Sequence, residues 1–234
     1  MPLSKSKGNM YDWTTHTHTH LRGECPHKCS YCYVQAMERR FGGGHYAGEL
    51  RLKESEFAVQ YGKGKTIFME HCNDLFASKV PRDWIYRILD HCRAYPDNTY
   101  IFQTKNPGRY TKFLEVGMLP PKRVLGCTIE SAYEYYLAHV SKAPSPINRA
   151  AAMADLRTRG ERTFITIEPI LAGDVTDLAN MIKMIEPEFV NIGADSKGAG
   201  LDEPSAEDVR MLISLLQASG VEIREKHNLD RLLR

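Results

Sequence analysis

The apolar positions of this chain fall in short runs, each followed by a stretch with helical spacing. Residues 66–71 (TIFMEH), 99–104 (TYIFQT), 123–129 (RVLGCTI), 162–167 (RTFITI) and 188–193 (EFVNIG) are rich in β-branched and aromatic side chains and predict buried strands. Residues 11–21 (YDWTTHTHTHL) alternate Thr and His with period two. That predicts a first strand with threonines on one face and His16, His18 and His20 on the other. A last short strand is expected at 221–225. Helices are expected at 33–40, 81–93, about 107–116, 130–159, 174–186 and 204–219. Within 81–93 the apolar positions 84, 85, 88, 89 and 92 follow a helical face, and Pro81 opens the segment. Gly42-Gly43-Gly44 ends the first helix, Pro144 and Pro146 break the fourth, and residues 45–63 read as a connector.

Strand and helix alternate about six times, which calls for parallel strands joined by crossover helices. The expectation is an α/β chain, a partial (βα)6 barrel with outer helices, forming a single domain over 1–234. Residues 1–9 are polar and are expected to be loose.

In such a barrel the carboxyl ends of the strands form one rim. Here each predicted strand ends in polar residues: Glu70 to Asp74, Lys105-Asn106, Thr128 with Glu130, Glu168, and Asp195-Ser196. Loops after strands are polar in any case, and Asp74 and Asn106 also read as helix caps. Five such ends in series predict a polar mouth.

Composition changes this picture little. At 42% hydrophobic and 26% charged, the chain is an ordinary soluble globular protein. Its formal charge of +2 gives no electrostatic case for nucleic acid. Local basic clusters at Arg39-Arg40, Lys63/Lys65 and Arg157/Arg159/Arg162 suit phosphates or merely solvated faces. No apolar run reaches membrane-spanning length, and the start lacks the apolar core of a signal peptide, so a cytoplasmic location and no membrane partner are expected.

The cysteines carry more. Three of the six, Cys25, Cys29 and Cys32, fall within eight residues as C-x3-C-x2-C. Thiolates hold zinc or iron–sulfur clusters. Closed zinc sites and plain electron-transfer clusters usually take four protein ligands. Three thiolates around a cubane would leave one iron open to another ligand. A Cys3His zinc module and an electron-transfer protein are the competing readings. Cys72, Cys92 and Cys127 are scattered, and Cys92 falls on the apolar face of its helix.

The stretch GECPHKCSYCYVQAM resembles the cluster motif of the radical S-adenosylmethionine (SAM) superfamily. C-x-Y-C-Y followed by Gln35 is similar to spore photoproduct lyase and its relatives. The remaining pattern resembles the short phage and bacterial radical SAM proteins of the Gp37/Gp68 type (DUF5131). The resemblance implies a partial barrel of radical SAM type and a [4Fe–4S] cluster on Cys25, Cys29 and Cys32 whose open iron chelates SAM. It implies reductive cleavage of SAM to a 5′-deoxyadenosyl radical that abstracts a substrate hydrogen. It also implies an external electron donor of flavodoxin or ferredoxin type.

Residue by residue, it puts Tyr31 near the SAM adenine and Tyr33 beside the cofactor. No Gly-Gly-Glu follows the second strand; MEHCNDLF stands there, with Glu70 and Asp74 as polar contacts to the SAM amino group. Lys105 matches a lysine at the SAM carboxylate. Thr128, Glu130 and Glu168 are candidate ribose or substrate contacts. Cys72 corresponds to a hydrogen-atom donor, with a buried packing cysteine as the alternative. The family analogy points to a nucleobase substrate, in a nucleotide or in DNA.

Overall fold

The computed structural model describes residues 3–8 and 10–234. The chain divides into two compact units, Met1–Lys28 with Cys32–Leu125 and Cys29–Tyr31 with Gly126–Arg234.

In the first unit β1 (Ser4–Lys5) pairs antiparallel with β2 (His16–His18), Lys5 opposite His16. This corrects part of the expected loose start; of that segment, residues 1, 2 and 9 lie outside the described residues. After β3 (Leu21–Arg22) and the cysteine loop comes α1 (Tyr33–Phe41), and β4 (Arg51–Leu52) returns antiparallel onto β3. Then follow β5 (Thr66–Met69), α2 (Arg82–Arg93), β6 (Thr99–Thr104), α3 (Gly108–Glu115) and β7 (Arg123–Thr128), whose last residues belong to the second unit. β2, β5 and β6 run parallel. α2 buries Ile85, Ile88, Leu89 and Cys92, the face expected from spacing, though Trp84 stays half-buried. Each of those aliphatic side chains contributes about 1.5–3 kcal/mol by leaving water.

The histidine alternation is not an exposed polar face. Thr17, His18, Thr19 and His20 are all buried. Pairing with β5 stops at His18, and the 45–63 connector covers the rings. His18 packs on His20 and Tyr61 at ring separations of 4.5 and 5.3 Å, and His20 on Phe57 at 4.7 Å. Burial, with His20 beside it, pushes His18 down to about 4, against Glu70 and Glu56.

The second unit continues from β7 through α4 (Glu134–Val140), α5 (Pro146–Thr158), β8 (Thr163–Ile167), α6 (Val175–Ile185), β9 (Phe189–Ile192), α7 (Ala206–Gln217), β10 (Glu222–Glu225) and α8 (Asp230–Leu233). β8, β9 and β10 are parallel. The helical material expected at 130–159 is broken as expected, and Pro146 opens α5, because its missing N–H costs nothing in a first turn. Asp174 caps α6 by accepting the Thr176 and Asp177 N–H groups. Ser205 and Asp208 form a reciprocal cap on α7. The expected α/β class, with parallel strands and crossover helices, holds in both units.

Candidate active site

The cysteine loop is a turn leading into a helix. The Lys28 N–H donates to the Cys25 carbonyl at 3.1 Å, with Lys28 in the left-handed region. Cys32 forms the cap position of α1, where the helix dipole favours a thiolate. None of the six cysteines forms a disulfide; Cys25, Cys29 and Cys32 are half-buried, whereas Cys72, Cys92 and Cys127 are buried. Among the described residues no three His, Cys, Asp or Glu side chains gather around one point, as a single ion would need. A cubane instead takes each thiolate on a different iron, and three thiols on one short loop fit that donor set.

In the first unit the loop is tied down through His27. Its Nε2 lies 2.9 Å from Oδ2 of Asp74, both residues buried. Asp74 also accepts from Thr104 Oγ1 (2.7 Å) and from the N–H groups of Lys105 (2.8 Å) and Phe76 (2.9 Å). Burial alone would raise this carboxyl; His27 and the donors override it and hold it below the usual carboxylate range. Glu70 is likewise engaged. Its Oε1 accepts from the N–H and Nδ1 of His20, both at 2.8 Å, and its Oε2 from the Leu21 N–H at 3.0 Å. The two carboxylates expected at the SAM amino group thus hold the segment before the cysteine loop, through His20 and Leu21, and the loop itself, through His27. Asn106 Nδ2 donates to the Phe76 carbonyl at 2.8 Å.

Cys72 follows β5 and is buried. The Tyr33 hydroxyl donates to the His71 carbonyl and stands 4.0 Å from the Cys72 sulfur, and the Tyr46 hydroxyl also bonds that sulfur. Burial raises the Cys72 thiol, against those two phenols, so the S–H form prevails at neutral pH. Tyr46 reaches this place because its segment packs on the approach to the cysteine loop. The Gly23 N–H donates to His45 O at 2.8 Å and the Glu24 N–H to Gly48 O at 3.0 Å. Gly23 has φ of 84°, and a Cβ there would stand 2.0 Å from the Glu49 carbonyl oxygen.

In the second unit the middle of the loop is fixed separately. Cys29 Sγ is 3.2 Å from Ser141 Oγ, and the Ser30 N–H donates to the Val140 carbonyl at 2.9 Å. The Tyr31 hydroxyl donates to Glu130 Oε1, and Glu130 Oε2 pairs with Arg149 NH1 at 2.7 Å. Arg149 also donates to the carbonyls of Pro144 (2.6 Å) and Thr128 (3.0 Å). Tyr31, Glu130 and Arg149 are all buried. Burial and then Glu130 push the Tyr31 phenol well up. Burial disfavours the Arg149 charge, and Glu130 more than restores it.

Glu168 pairs with Lys226 Nζ at 2.7 Å and accepts from Asn228 Nδ2 at 3.0 Å. Gly193 admits this group, since a Cβ there would meet Asn228 Oδ1 at 2.9 Å and Glu168 Oε1 at 3.0 Å. Asp195 accepts from the Lys197 N–H at 2.9 Å and from the Ala199 N–H, so it shapes its own loop.

Sequence reading missed His27, Tyr46, Arg149, Lys226 and Asn228. Only Arg149 had a signal. It lies on the buried stripe 146, 149, 150, 153 and 156 of α5, where an arginine implies a buried acid.

Residues 9–200 match the family model described as "Protein of unknown function (DUF5131)". The chain belongs to the DUF5131 family. Its fold is shared with spore photoproduct lyase and SuiB. Spore photoproduct lyase complexed with dinucleoside spore photoproduct superposes with a TM-score of 0.63 at 13% identity, over 92% of this chain and 78% of that one. A doubly substituted form of the lyase, with bound AdoMet and dinucleoside spore photoproduct, gives 0.56 at 14% identity, over 92% and 65%. Streptococcus suis SuiB bound to precursor peptide SuiA gives 0.61 at 10% identity, over 91% and 49%. This DUF5131 chain therefore spans just under two thirds of that doubly substituted lyase and about half of SuiB. No curated protein matches it in sequence. No helix among the described residues is long and apolar enough to cross a membrane.

Proposed function

We propose that this protein is a radical SAM enzyme, with lyase- or isomerase-like chemistry on a nucleobase substrate. The observation that carries the reading is a C-x3-C-x2-C loop without a disulfide on a chain with this fold. Cys25, Cys29 and Cys32 would hold a [4Fe–4S] cluster with one iron open to SAM. When bound and reduced by a flavodoxin- or ferredoxin-type donor, that group supplies a 5′-deoxyadenosyl radical from SAM, which takes a hydrogen from substrate.

The chain's own residues bind, orient and shield. Asp74, through His27, holds the first part of the cysteine loop, and Ser141 and the Tyr31–Glu130–Arg149 series hold its middle. Lys105 supplies an ammonium for the SAM carboxylate. Tyr31 and Tyr33 flank the cofactor, and Thr128 and Glu168 serve ribose or substrate. Glu70, Asp74 and Glu130 act here by positioning, since the geometry commits their carboxylates to protein partners. Cys72, with its weak S–H bond, returns a hydrogen atom to the product radical. Residues 1–234 act as one functional domain, in a reducing cytoplasm that suits cysteines without disulfides. Nucleotide or DNA as substrate is supported by analogy with the lyase complexed with dinucleoside spore photoproduct.

The test is metal content. Anaerobic reconstitution should give about four irons and four sulfides per chain, and Cys29→Ala should lose them. A colourless chain with one tightly held zinc would overturn the reading.

A further inference from the structure

α1 starts at Cys32 and ends in Arg39-Arg40-Phe41-Gly42-Gly43-Gly44. Arg39 and Arg40 are exposed, and neither has an ion-pair partner among the described residues. Phe41 is 72% exposed, the most exposed large hydrophobic side chain among the described residues, and Arg40 lies 5.1 Å over its ring. Basic residues in a last helical turn are favoured by the helix dipole, which accounts for the arginines alone. It gives no reason for a phenylalanine in water beside them.

Glu38, the acid next to this tip in sequence, makes no ion pair with Arg39 or Arg40 among the described residues. The Glu38 carboxylate accepts the Tyr46 N–H at 3.2 Å. Arg51 is exposed and donates inside the turn to the carbonyls of Gly44, Ala47 and Glu49, so it shapes the loop. The same loop continues into Tyr46, whose hydroxyl meets Cys72. Five residues span at most about 18 Å, so Phe41 stands within about five stacked nucleotides of Tyr46.

We propose that the Arg39-Arg40-Phe41 tip binds a single-stranded stretch of nucleic acid, the arginines on phosphates and Phe41 stacked on a base, and so carries the substrate base as part of a polynucleotide. Cation pairs interleaved with an exposed aromatic are the chemistry of single-strand binding, and a flat ring face accepts any base. This deepens the reading above by naming the form of the substrate, and it rests on that reading for the chemistry at Cys72.

The experiment uses the full chain and labelled single strands of about 12 nucleotides, one DNA and one RNA of the same mixed sequence. Anisotropy is followed between about 50 and 200 mM salt. The parent should bind at least one strand with an affinity that falls as salt rises. Arg39→Ala with Arg40→Ala should weaken it about tenfold and reduce the salt slope by about 1.4, the loss of two contacts. Phe41→Ala should weaken it about tenfold with the slope unchanged, and Phe41→Trp should bind with its fluorescence quenched. Unchanged affinity and slope in these variants, no salt-dependent binding of either strand by the parent, or binding of anionic vesicles alone would overturn the proposal. Release of 5′-deoxyadenosine without substrate is measured alongside and should not change in the variants. Its absence from the parent too would sink the radical reading while leaving strand binding to be judged on its own.

Discussion

His27 lies inside the cysteine loop with its Nε2 2.9 Å from Oδ2 of Asp74, and Asp74 in turn takes donors from Thr104, Lys105 and Phe76. One buried carboxylate therefore links the loop to the ends of β5 and β6. Asp74→Ala leaves His27 and three donors without their acceptor, which should cost about 3–5 kcal/mol of stability in urea unfolding. At temperatures where the variant is folded, its iron content after reconstitution should fall below half that of the parent. Full iron content in a folded Asp74→Ala protein would contradict the anchoring role.

Glu130 and Arg149 make a test by cycle. Removing Arg149 strands a buried carboxylate, so Arg149→Met should cost about 3–5 kcal/mol. Glu130→Gln with Arg149→Met should recover part of that loss, because no charge is left unpaired. Additive losses in the double variant would mean that the two side chains do not act as a pair.

Stability should fall with acid before any carboxylate titrates. His18 is held near 4 by burial, and His71 and His91 are lowered in the same way. Below 6.5 the unfolded chain takes up protons that the folded His18 refuses, so stability is lost as pH falls. For His18 alone this amounts to about 3 kcal/mol by pH 4. Glu70 and Asp74, whose carboxyls are depressed, add their loss below the ordinary carboxylate range. Chemical denaturation across this range should show the slope, and His18→Phe should flatten it between about pH 6.5 and 4. An unchanged slope in His18→Phe would contradict a buried neutral imidazole.

Cys72 is tested by product. Cys72→Ala should keep cleavage of SAM and alter or stall the product formed from the substrate radical. Unchanged product and turnover would leave Cys72 as packing and make Cys127, also buried, the next thiol to change.

The repeating elements were legible because their period is local. The run TYIFQT is β6 to the residue, and the helix expected at 174–186 differs by one residue at each end. The cysteine loop was legible because its spacing is short. What surrounds it was not, since His27 with Asp74 and Tyr31 with Glu130 pair residues 47 and 99 positions apart, set by the fold. The polar strand ends predicted a mouth of cofactor contacts; period and spacing did not show that Glu70, Asp74 and Glu130 also bond buried protein partners. The histidine alternation gave the strand but not its burial, because period two does not say which side the connector will cover.

The central claim is that three loop cysteines support cleavage of SAM. The direct measurement is 5′-deoxyadenosine released by the reconstituted protein with dithionite and SAM. The account predicts release by the parent, abolished in Cys25→Ala, Cys29→Ala and Cys32→Ala alike. No release from a parent with an intact cluster, or full release by Cys29→Ala, would contradict it.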